Sequence, residues 1–75
     1  MKSREVHDLA DDQLVDAVAN ARQELFNLRF QHATGQLEDT AALGRAKRDL
    51  ARTMTVARER GIDVERELRR QRESA

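Results

Sequence analysis

The stretch ELFNLRFQHATGQL, residues 24–37, decides the fold. Its Leu25 and Leu28 continue a stripe that begins at Leu14 and runs through Val18 and Ala21, with spacings that alternate between four and three. That is the period of one helix face. Thr34-Gly35 closes the pattern, because glycine takes positive φ at no steric cost and lets the chain reverse. Downstream, LGRAKRDLARTMTVARERG, residues 43–61, holds a second stripe of Leu43, Ala46, Leu50, Met54 and Ala57, with Gly61 as its natural stop. Asp39 or Thr40 is the candidate cap of that second helix. Two helices joined by a turn of about five residues pack antiparallel. The expected fold class is all-α: a long antiparallel two-helix hairpin with Leu14, Leu25 and Leu28 facing Leu43, Leu50 and Met54.

Working outward, the first helix starts near Asp11, where Asp11 and Asp12 favour the positive end of the helix dipole. Gln13 can supply the returning half of a capping box, but Ala10 sits at the cap and has no oxygen to offer. A short N-terminal turn precedes it. Beyond Gly61, residues 62–68 predict a third short helix capped by Asp63, or a continuation of the second, followed by a fraying polar end. The expected division is a hairpin domain, residues 1–61, and a charged, helical C-terminal extension, residues 62–75, lying outside the hairpin core. A second apolar stripe of Val15, Ala19, Phe26, Phe30 and Ala33 runs beside the first, with Arg22 and Arg29 between them. Two helices alone cannot bury both stripes, so a partner or a second copy is expected to cover the flank.

Composition narrows the class. The chain has 75 residues, 37% of them charged, with no Cys, no Pro and three Gly. That bounds it at one small helical domain of the kind that needs a partner or close helix packing for stability. Lack of Cys removes disulfides and thiolate metal sites and fits a reducing compartment. The N-terminus lacks a secretory h-region, and no apolar run approaches membrane-spanning length. There is no phosphate-cradling glycine loop and no nucleophile motif, so neither an enzyme nor a cofactor is expected. His32, and the group His7, Asp8, Asp11 and Asp12, read as a packed or solvated histidine and as helix-start acids, not metal ligands.

Formal net charge is zero, but its distribution is uneven. Glu5, Asp8, Asp11, Asp12 and Asp16 make the start acidic. From Thr40 to Arg60, Arg45, Lys47, Arg48, Arg52, Arg58 and Arg60 are opposed only by Asp49 and Glu59. At about 100° per residue, Arg45, Arg48 and Arg52 form one row on the side of the second helix away from the seam. A solvated charged face is the ordinary reading of such a row; the functional reading is phosphate contact, to which the guanidinium fork is suited. Phe26 and Phe30, four residues apart, read first as core, shared or not with a partner.

Three blocks carry a resemblance: ELFNLRFQHATGQL at 24–37, RAKRDLAR at 45–52 and TVARERG at 55–61. Through them the chain resembles the large-subunit ribosomal protein twenty-nine family over roughly residues 4 to 61. It departs from the family at Ala10, where Ser or Thr is usual, at Thr53, where a branched aliphatic is usual, and in the extension, which the resemblance does not reach. The resemblance implies a non-catalytic constituent of the large ribosomal subunit in the cytoplasm, an α-hairpin on large-subunit ribosomal RNA at the rim of the peptide exit tunnel. It implies protein twenty-three of that subunit as a neighbour, trigger factor and the signal recognition particle as docking factors, and no membrane. Carried onto this chain, it implies RNA-facing roles for Asn27, Arg29, Gln31, Thr34, Gly35 and Gln36, and for Arg45, Lys47, Arg48 and Arg52. The alternative is a free antiparallel coiled-coil adaptor dimerising through the Phe26 and Phe30 flank.

Overall fold

The computed structural model describes residues 3–73. Four helices follow in order: α1 (Ser3–His7), α2 (Asp11–Ala33), α3 (Ala41–Glu59) and α4 (Val64–Glu73). The long pair, α2 and α3, forms the expected antiparallel hairpin. Its backbone spans 37 × 30 × 14 Å, so the molecule is a slab.

The helix ends follow from local chemistry. At the start of α2, Ala10 stands in extended conformation, and its N–H donates to Gln13 Oε1 at 3.0 Å. The reciprocal bond is missing because a methyl group accepts nothing, so only half a capping box forms. At the other end Gly35 has φ 75°. The Gln36 N–H reaches the Gln31 carbonyl at 2.8 Å and the Gly35 N–H reaches that of His32 at 3.2 Å. This is the Schellman pattern, which satisfies carbonyls a helix end leaves open. Gln31 O also accepts the Leu37 N–H at 3.2 Å and the Thr34 hydroxyl at 3.1 Å, so one carbonyl gathers three donors in the turn. The same pattern ends α3. Gly61 has φ 73°, Ile62 N–H donates to Ala57 O at 2.9 Å, and Gly61 N–H donates to Arg58 O at 3.0 Å. Asp39, not Thr40, caps α3, its Oδ1 accepting the Ala41 N–H at 3.0 Å. Asp63 caps α4, accepting the Arg66 N–H at 3.2 Å.

The core lies at the open end of the hairpin, away from the turn. Val6, Leu14, Val18, Val56, Ala57 and Val64 are buried together, with Leu9, Leu50, Met54, Ile62 and Leu68 packed against them. Toward the turn the seam thins to Ala21, Leu25 and Ala46, flanked by half-buried Leu28 and Leu43. Thr53 is 1% exposed. Its hydroxyl donates within α3 toward the carbonyls of Leu50 and Asp49, at 3.0 and 3.2 Å. A β-branched side chain thus fills the seam where an aliphatic was expected, with its polar atom satisfied.

Two expectations are corrected here. The extension is not outside the core: Val64 belongs to it, and Arg22 on α2 pairs with Glu65 on α4 at 2.5 Å. The second stripe is also not wholly uncovered. Val15, on that stripe, is 2% exposed, while Phe26 and Phe30 are 64% and 61% exposed. The rings are therefore not part of this chain's core. A single α4 of ten residues covers only the first part of the stripe.

Arg60 fastens the open end. Its Nη1 donates to Leu9 O at 2.6 Å and to Asp11 Oδ1 at 3.1 Å, and its Nη2 donates to His7 O at 2.8 Å. A guanidinium offers several donors in a rigid fork, and here the fork meets carbonyls at and just past the end of α1 together with the first carboxylate of α2.

Candidate nucleic-acid interface

The residues with nucleic-acid chemistry fall on three surfaces. The first is the outer face of α3. Arg45, Arg48 and Arg52 are all exposed and share that face by their three- and four-residue spacing. Arg45 Nη2 is held by Asp39 Oδ2 at 2.7 Å. The hydrogen bond from Arg45, and next its positive charge, hold the Asp39 carboxyl below its ordinary value, with the N–H groups of Ala41 and Ala42 adding to the effect. The same bond raises the pKa of Arg45. One carboxylate thus caps α3 and anchors the first cation of the row. Arg48 lies along the helix, Nη1 3.6 Å from where a Cβ on Gly44 would stand. Lys47 is exposed but, at about 100° per residue, falls on the flank with Arg58, away from the row.

The second surface is the hairpin tip. Asn27, Gln31, Thr34, Gly35 and Gln36 are exposed. Gln23 Nε2 donates to Asn27 Oδ1 at 3.0 Å, which leaves the Asn27 NH2 group as the donor toward an outside ligand. The Thr34 hydroxyl proton is committed to Gln31 O, so its lone pairs are what it can present. Gly35 has open space where a Cβ would stand, so its role is set by φ and not by a close approach. His32 lies at the end of the inner stripe and is exposed.

The third surface is the uncovered part of the second stripe. By helical spacing Arg29 shares it with Phe26 and Phe30, whereas Asn27 and Gln31 stand about 100° further round α2. The expected site residues are therefore not one patch. The bare rings match the surplus apolar flank expected from sequence; the holding of Arg45 by Asp39 was not read there, although the two residues flank the turn in a way that makes the pair findable.

On the opposite side, an open groove of about 400 Å³ between α2 and α3 is lined in part by Asp16, Glu24 and Asp49, with Gln13 and Asn20. Its charge is unfavourable to phosphate. Among the described residues no group of three or more His, Asp or Glu is placed to hold a metal ion. No described helix is long and apolar enough to cross a membrane.

Comparison with known proteins follows the same segment. The family profile described as "Ribosomal L29 protein" matches residues 4–60. The chain is 53% identical over 62 residues to large ribosomal subunit protein uL29 of Maridesulfovibrio salexigens, covering 83% of this chain and 97% of that protein. It is 48% identical over 63 residues to the proteins of the same name from Staphylococcus aureus (strain JH9) and Staphylococcus carnosus, covering 84% of this chain and 91% of each. Helix α4 lies beyond the family match.

Proposed function

We infer the function from one premise: this chain belongs to the ribosomal L29 protein family. It is a structural, non-enzymatic constituent of the large ribosomal subunit, located in the ribosome of the cytoplasm, where it serves translation. Membership gives the free-adaptor alternative no support.

The finer reading is that the chain binds large-subunit ribosomal RNA through the outer face of α3, the hairpin tip and the flanks that carry Arg29 and Lys47, near the rim of the peptide exit tunnel. Asn27, Arg29, Gln31, Thr34, Gly35, Gln36, Arg45, Lys47, Arg48 and Arg52 are its RNA-facing residues. Protein twenty-three of the subunit is its neighbour, and trigger factor and the signal recognition particle are candidate visitors. Residues 1–61 carry this role, with residues 62–75 an accessory extension. The observation that carries the reading is the exposed row Arg45, Arg48 and Arg52 on the side of α3 turned away from its seam with α2. Recognition is of backbone and shape, since side chains cannot read the deep, narrow major groove of A-form RNA.

The salt dependence of binding tests it. Replacing Arg45, Arg48 and Arg52 by Gln lowers affinity for large-subunit RNA and flattens the slope of log affinity against log salt, by nearly one unit per lost phosphate contact on duplex-like RNA. An unchanged slope rejects the assignment.

A further inference from the structure

The face of α2 that α4 covers at Val15 continues toward the turn as Phe26, Arg29 and Phe30. There the cover ends. The last tie is the pair Arg22–Glu65, and beyond it both rings stand in solvent. We propose that Phe26 and Phe30 stack on unpaired bases of the large-subunit RNA, with Arg29 beside them on the neighbouring phosphate. This rests on the RNA-binding reading above and adds a base-contacting surface to it.

Three observations favour this occupant. The first is area. A phenylalanine buries about 150–250 Å² in full, so at 64% and 61% exposure the pair offers on the order of 250 Å². A specific protein interface needs about 800 Å² per partner, so a second copy of the chain seated here would lack most of what a stable dimer requires. A base needs only one ring face, and stacking is strong per nucleotide. The second is surroundings. The only apolar neighbours of the rings along the stripe beyond Val15 are the small Ala19 and Ala33; the rings alternate with Arg29 and are flanked by Asn27 and by exposed Gln23 and Gln31. Aromatics interleaved with cations and amides suit splayed nucleotides, where ring, phosphate and base edge each find a partner. The third is spacing. Four residues of helix rise roughly 6 Å, which lets two nucleotides meet one ring each.

The test uses Phe26→Leu with Phe30→Leu. Leucine keeps apolar bulk and helix propensity but has no π face, and both positions are exposed, so the fold is not at stake; circular dichroism checks that it is kept. Binding is measured to protein-free large-subunit RNA, and base reactivity is mapped with a base-specific chemical probe on RNA with and without each protein. The expected result is an affinity loss of roughly tenfold or more, an unchanged salt slope, and bases that regain reactivity in the Leu variant. Phe26→Tyr with Phe30→Tyr restores both. Wild-type affinity and an unchanged reactivity map in the Leu variant overturn the proposal. So does a Leu variant that binds protein-free RNA normally yet is lost from assembled subunits, because the rings then serve a protein neighbour. Failure of the RNA reading itself looks different: the variant with Gln at positions 45, 48 and 52 keeps its salt slope.

Discussion

At the scale of single residues, Gly35 and Asp39 set the turn. Gly35 holds φ 75°, a region a β-branched residue occupies only under strain. Gly35→Val is expected to cost about 1 kcal/mol or more, lowering the thermal midpoint, and to misaim Gln36 and the start of α3, so RNA affinity falls with helix content. Asp39 carries a pH dependence. Its carboxyl titrates below its ordinary value near 3.8 in the folded chain. The stability it contributes is therefore present above that value and lost as pH falls through the lower, folded one. An acid titration followed by NMR is expected to show the Ala41 amide and the Arg45 side chain moving together below pH 3.8, and Asp39→Asn removes that transition. Some of this was legible. The glycine, the acidic cap and the cap defect at Ala10 each follow from what one side chain can or cannot offer its own backbone. Arg60 was not legible, because its acceptors are mainly carbonyls, which carry no residue-type signature, at Leu9 and His7 on the far side of the chain.

At the scale of elements, α2 and α3 could be read directly, since each long stripe has one period and one plausible partner. Helix α4 could not be placed. Its charges nearly cancel, and only the joint spacing of Val64 and Leu68 with the complement of Arg22 and Glu65 shows that it docks. Phe26 and Phe30 were half legible: the surplus of the second stripe showed that part of it stays uncovered, but an apolar pair at four-residue spacing looks the same whether it is covered or bare, so which part could not be told. The row Arg45, Arg48 and Arg52 stands exposed as its spacing implied, because charged residues away from a seam have only one place to go; Lys47, which only the resemblance grouped with them, lies on another flank by angle. Burial of Val64 gives the extension a stabilising role. Truncation after Gly61 removes Ile62, Val64 and Leu68, and loss of a buried valine alone is worth roughly 1.5–3 kcal/mol if fully covered. The expected outcome is a lower thermal midpoint with subunit incorporation retained, because every proposed RNA-facing residue precedes Gly61. Measuring both on one truncated protein separates support from recognition; an unchanged midpoint counts against α4 as a brace.

At the scale of the whole molecule, burial is lopsided. The six-residue core sits where all four helices meet, while the tip rests on a thin seam. Amide hydrogen exchange is expected to be slowest around Leu14, Val18 and Val56 and fastest from Gln31 to Leu43, with the tip slowing when large-subunit RNA is added. Uniform protection in the free chain contradicts that gradient. The slab shape serves the same division, because a layer 14 Å thick turns an acidic groove one way and a cationic row another without a large interior between them.

The Arg60 clasp also has a consequence in time. It joins residues 49 to 53 positions apart, so it cannot form until both helices of the hairpin have been made. The turn at Gly35, by contrast, closes within a few residues. During synthesis at about 5–20 residues per second, Leu14 and Val18 wait on the order of several seconds before Val56, Ala57 and Arg60 are made. The hairpin therefore zips from its thin end toward its thick one, and Arg60, made about fifty residues later, locks the residues made early.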